Sequence, residues 1–123
     1  MAGKGSSAIT LLELRDRLRS FAAERDWDQF HSPKNLAAAL IVEAGELLEH
    51  FQWLTEDASK ALTAQQRSKV AEEMADVLIY LIRLADKLDI DLLEAAQDKI
   101  SKNALKYPAD KARGSIRKYT DIG

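Results

Sequence analysis

The chain has no cysteine, and only two prolines and five glycines among 123 residues. Without cysteine there is no disulfide framework, no thiolate metal site and no cysteine nucleophile. With so few helix breakers, long helices are favoured over a sheet with many turns. Long apolar runs are missing as well. The longest, Leu36 to Val42, falls far short of the roughly 20 residues that a bilayer-crossing helix needs. No basic start leads into an apolar stretch, so no secretory signal and no membrane association are expected, and a cytoplasmic location is. Nor is there an excess of positive charge: the formal net charge is −2. That gives no electrostatic case for binding long nucleic acid, although a local group of cations or metal ions suffices for a small polyanion.

What is present is 46% hydrophobic and 31% charged residues, an ordinary balance for one globular domain with one core. Thr10 with Glu13 forms a capping-box pattern and predicts a first helix running to about Glu24, with Leu11, Leu14, Leu18 and Phe21 on one face. Residues 25–32 form a connector. Ser32-Pro33 reads as N-cap and first position of a second helix, which runs to about Trp53. A polar loop over about 54–62 follows. Thr63 with Gln66 caps a third helix that ends near Leu88, with Val70, Met74, Val77, Leu81, Leu84 and Leu88 on one broad apolar face. Asp91 with Glu94 opens a fourth, which stops before Pro108. The expected architecture is all-α, an antiparallel four-helix-bundle-like subunit over 10–108. A disordered tail at 1–9 precedes it, and a basic, irregular tail at 109–123 follows.

The second helix carries an anomaly. Glu43 points the same way as Leu36, Leu40, Leu47 and Leu54, so a carboxylate interrupts an apolar stripe. Glu46 follows at i+3, and neither acid has a Lys or Arg at helical spacing on its own helix. A buried carboxylate needs a partner or a metal. Cations on another helix would meet that need, and so would a metal ion. The third helix repeats the spacing with Glu73 and Asp76, on a polar face shared with Lys69, Glu72 and Arg83. Taken alone this is a solvated face in which Lys69 pairs with Glu73. Taken with Glu43 and Glu46, the two pairs form an all-oxygen pocket of the kind Mg²⁺ prefers.

The fourth helix aligns Lys99, Lys102, Asn103 and Lys106 on one side, with Tyr107 beside them. This is either a solvated basic face or a row of donors for phosphate oxygens. Trp27, Phe30 and Trp53, with His31 and His50, offer flat apolar surfaces and polar edges for a nucleobase, or else seal a bundle end.

In chain order, the segments Arg25-Asp26-Trp27-Asp28-Gln29-Phe30-His31, Ser32-Pro33-Lys34-Asn35-Leu36, Glu43-Ala44-Gly45-Glu46-Leu47 and Phe51-Gln52-Trp53 resemble the MazG-like nucleotide pyrophosphohydrolases, and among them the dCTP pyrophosphatase branch. The run Glu72 to Leu81, then Lys99, Asn103 and Lys106-Tyr107-Pro108, continue the match over about residues 10–120. The resemblance implies an α-helical enzyme that uses Mg²⁺ to cut the α–β phosphoanhydride of a nucleoside triphosphate. It implies Glu43, Glu46, Glu73 and Asp76 as metal ligands and catalytic acids. Lys99, Asn103, Tyr107 and, less directly, Lys106 would contact phosphate. Trp27, Phe30, His31 and Trp53 would form the base pocket. It further implies a homotetramer built as a dimer of dimers. Many relatives open the first motif with two adjacent glutamates; here Val42 precedes Glu43, which leaves Glu46, Glu49 and Glu72 as alternatives for activating water.

The expected function is therefore hydrolysis of dCTP or a modified cytosine nucleotide to monophosphate and pyrophosphate. The alternative is a non-catalytic helical interaction or nucleotide-binding protein. A di-iron carboxylate bundle needs Glu-x-x-His on two helices, whereas His50 follows Glu46 at i+4.

Overall fold

The computed structural model describes residues 8–116. Residues 1–7 of the expected N-terminal tail and 117–123 of the C-terminal tail lie outside the described residues. The described chain is helical throughout, with no strand: α1 (Leu11–Glu24), a 3₁₀ turn (Asp28–Phe30), α2 (Pro33–Glu49), α3 (Glu56–Ser59), α4 (Ala64–Lys87), α5 (Leu92–Lys106) and α6 (Ala109–Ala112). Its described residues fall into two compact units, the first ending at Asp89 and the second beginning at Ile90.

The starts of the helices lie where their caps predict. Thr10 accepts from the Glu13 amide, Ser32 from Asn35 and Asp91 from Glu94. Thr63 and Gln66 complete a reciprocal capping box, with bonds of 3.1 and 2.8 Å. The end of α1 matters most for the site. Asp26 adopts a left-handed φ of 56°, and the amides of Asp26 and Trp27 turn back to the carbonyls of Ala23 and Ala22. This is a Schellman stop. It aims the Trp27–His31 connector, and the Asn35 amide group fastens that connector to α2 through the Phe30 carbonyl at 3.0 Å.

Three expectations are corrected. α2 ends at Glu49 rather than near Trp53, because the Phe51 amide bonds to Leu48, three residues back, and the chain leaves in turns. The segment expected as a loop over 54–62 contains α3, capped by Thr55. The start of the expected irregular tail forms α6, whose Ala112 amide bonds to the Pro108 carbonyl.

In the first unit α2 packs along α4, and α1 rests on α4. The core holds Ala22, Leu36, Val70, Ile82 and Ala85. The apolar face expected on α4 is only partly covered: Val70 is buried, but Met74, Leu81 and Leu88 are exposed. The buried side is turned toward Ile82 and Ala85 and takes in Arg83, which is 4% exposed rather than on a solvated face. The second unit carries α5, whose N-cap is Asp91 and whose C-cap is Tyr107.

Candidate functional site

The phase of α2 is set by Ser32-Pro33 and that of α4 by the capping box at Thr63. Because these two helices pack together, the middle of each faces the other. Glu43 of α2 and Glu73 and Asp76 of α4 meet there. One carboxylate oxygen from each lies within 4.8 Å of the others. All three side chains are half-buried. One oxygen of Glu43 and one of Glu73 are buried with no hydrogen-bond partner. Among the described residues no lysine or arginine pairs with any of the three, and Lys69 does not meet Glu73.

Three like charges at this spacing repel one another. The Glu43 carboxyl is pushed up to about 7, first by a hydrogen bond with Glu46, then by burial, then by the negative charges of Glu46 and Asp76 and contact with Glu73. Glu46 therefore lies against Glu43 but outside the group of three converging oxygens. Buried oxygens without partners, all on hard donors, fit a small divalent cation. Of the four expected ligands, three converge directly and the fourth adjoins them.

His50 was not among the expected ligands. Its Nε2 stands 3.9 Å from a Glu73 oxygen, beyond hydrogen-bond length but close enough for its charge to matter when protonated. The sequence does carry a signal for it: His50 falls seven residues after Glu43, on the same face of α2.

Seven residues beyond Asp76 on the same face of α4, the electrostatics reverse. Arg83 is buried and fully engaged. Its Nη2 donates to Asp28 Oδ1 at 2.9 Å, its Nε to His31 Nδ1 at 3.3 Å, and its Nη1 lies 3.6 Å from Asp86. Lys87 also reaches Asp28, at 2.6 Å, and Arg19 of α1 reaches Asp86 with its Nε at 2.7 Å. Hydrogen bonds from Lys87 and Arg83 hold Asp28 below the usual carboxylate range. Arg19 does the same for Asp86. His31 is pushed down, first by burial and then by the Arg83 charge.

Of the expected base-pocket residues, Trp27, Phe30 and His31 share the connector. Trp27 is 46% exposed and edge-on to Phe21, with ring centroids 5.7 Å apart. Phe30 is 60% exposed. Trp53 is 87% exposed and makes no ring contact with them among the described residues. Lys99, Asn103 and Lys106 keep their helical register on α5, and the Tyr107 amide bonds to the Asn103 carbonyl at 2.8 Å. These four belong to the second unit.

The profile of the MazG-like family matches residues 39–122. The chain belongs to the MazG-like family. The matched span of this MazG-like chain contains all four candidate metal ligands. The chain as a whole is 47% identical over 115 residues to dCTP pyrophosphatase 1 of Mus musculus, and to that of Homo sapiens. Each alignment covers 92% of this chain and 68% of the relative. A crystal structure of a pyrophosphatase from Archaeoglobus fulgidus superposes with a TM-score of 0.77 at 43% identity, over 82% of this chain and 94% of that one. No helix of the described residues is long and apolar enough to cross a membrane.

Proposed function

We infer that this MazG-like protein is a nucleoside triphosphate pyrophosphohydrolase. It releases pyrophosphate and a nucleoside monophosphate from dCTP or a modified cytosine nucleotide. The observation that carries this reading is the cluster of Glu43, Glu73 and Asp76, with two buried oxygens left bare between packed helices. The identity to dCTP pyrophosphatases over nearly the whole chain supports the substrate class.

Glu43, Glu73 and Asp76, with Glu46 beside them, would hold Mg²⁺. When bound, the metal neutralises phosphate charge, polarises a phosphoryl oxygen and lowers the pKa of an attacking water. Glu46 is the carboxylate best placed to take a proton, because it adjoins the cluster while Glu49 and Glu72 are exposed. The resemblance to the family gives Lys99, Asn103, Lys106 and Tyr107 the role of donors to phosphate oxygens. Trp27, Phe30, His31 and Trp53 hold the base. Asp76 and Arg83, the anchor of His31, stand seven residues apart, about 10 Å along α4, which leaves room for a nucleoside between metal and base subsite. The working assembly is a homotetramer, a dimer of dimers, in the cytoplasm. The exposed apolar side chains of Ile41, Val42, Leu48, Met74 and Leu78 support such a covered surface.

The products test the reaction. ³¹P NMR of dCTP turned over with Mg²⁺ should show dCMP and pyrophosphate in equal amounts. dCDP and orthophosphate would move the cut to the β–γ bond and reject this reading.

A further inference from the structure

His31 meets Arg83 through Nδ1, and a guanidinium has donors but no acceptor. Both contacts, 3.3 Å from Nε and 3.1 Å from Nη2, therefore require a bare lone pair on Nδ1. The ring proton must then sit on Nε2. Protonating Nδ1 would break both bonds and set an imidazolium against a buried guanidinium. Arg83 cannot easily turn away, since the same Nη2 also donates to Asp28 at 2.9 Å and Asp86 lies 3.6 Å from Nη1 on its far side. Asp28 in turn is shared with Lys87. The groups facing His31 are thus Arg83 and Lys87 from α4 and Asp28 from the 3₁₀ turn. Arg83 is 4% exposed and so does not itself reach a nucleotide.

We propose that Arg83 is a positioning residue that fixes His31 as a neutral Nε2–H donor, so that this edge of the base pocket recognises only a hydrogen-bond acceptor on the nucleobase. The inference rests on the reading above that His31 belongs to the base pocket. A free histidine interconverts tautomers and protonates near pH 6.5, so its edge presents donor, acceptor or cation in turn. Here the guanidinium removes that choice. The lowering of the His31 pKa by burial and by Arg83 agrees with it. A ring fixed in orientation and tautomer loses little freedom on binding, and an acceptor-poor base edge leaves the Nε2–H unpaired.

The chain has two histidines, so ¹⁵N-histidine labelling and long-range ¹H–¹⁵N correlation resolve both, with His31→Phe assigning the signals. At pH 7 His31 should show an unprotonated Nδ1 and a protonated Nε2, and should titrate below the ordinary 6.5. In Arg83→Met the signal should become a tautomer mixture and the titration should rise toward 6.5. In turnover of dCTP, Arg83→Met should raise KM about five- to tenfold with kcat within about twofold, and adding it to His31→Phe should raise KM no further. A proton on Nδ1, or a charged ring at pH 7, overturns the proposal. This holds even if Arg83→Met fails to fold, because it is read on the unaltered protein. An unchanged KM in Arg83→Met, beside a raised KM in His31→Phe, overturns the proposal alone. An unchanged KM in His31→Phe removes the base-pocket role as well, while leaving metal-dependent hydrolysis standing.

Discussion

Two charged regions lie two turns apart on one face of α4, and they are built in opposite ways. Around Glu73 and Asp76 the acids face another acid, and two buried oxygens have no partner. Around Arg83 and Asp86 every charge is answered, by Arg19, Asp28, His31 and Lys87. The acids of the first region meet no lysine or arginine among the described residues, and the proposed metal ion would answer their charge. The second is complete as it stands and serves to hold the connector that carries His31. A helical wheel draws both as the same polar stripe. The difference is one of partners on other elements.

Neutralising each region in turn should give opposite results. Asp76→Asn should lower turnover by at least about a hundredfold, since even the outer partners of metal ligands are worth 10–100-fold. Helicity by circular dichroism should be unchanged, and thermal stability without metal should rise as repulsion is relieved. Arg83→Met should do the reverse to the fold. It should cost about 1–3 kcal/mol in denaturant unfolding, the lower part of the range for a buried charged hydrogen-bond network, because Asp28 and Asp86 each keep a second cation.

Stability should respond to pH with opposite signs in the two regions. Glu43 holds its proton to about pH 7, above its ordinary value, so the folded state binds that proton more tightly than the unfolded chain. Its contribution favours folding below about 4.5 and is lost as pH rises through 7. Asp28 and Asp86 are held below their ordinary value of 3.8, so their contribution is present above it and lost as pH falls through their folded values. Metal-free protein should therefore melt highest in mildly acidic buffer and lose stability toward neutrality. Saturating Mg²⁺ should remove the neutral-side loss, because binding requires the deprotonated acids. A melting temperature that rises from pH 5 to 7.5 without metal would show that the cluster is not repulsive. The smallest effect belongs outside both regions: Thr63→Ala should cost about 1 kcal/mol by removing one side of a capping box, with the metal dependence of turnover unmoved.

Much of the fold was legible because helix starts are local events. Thr10, Ser32, Thr63 and Asp91 each bond an amide three residues on, and nothing distant is needed to see it. The end of α2 was harder, since no glycine or proline marks it and only tightened bonds after Leu48 reveal it. The Schellman stop at Asp26 was hidden because aspartate, not glycine, takes the left-handed position. Glu43 was legible because a carboxylate in an apolar stripe conflicts with its surroundings within one helix. Arg83 was not, because its partners Asp28 and His31 lie 55 and 52 residues away, and a wheel cannot tell a solvated arginine from one buried against another element. His50 was missed for a related reason: its approach to Glu73 depends on how α2 and α4 meet.

The most direct test of the central claim is pyrophosphate release from a panel of canonical and modified nucleoside triphosphates, with Mg²⁺ and with EDTA. Release that needs the metal, and is fastest with dCTP or a modified cytosine nucleotide, is the predicted result. No release from any of them by a folded protein would contradict it and leave a helical nucleotide-binding or interaction protein in its place.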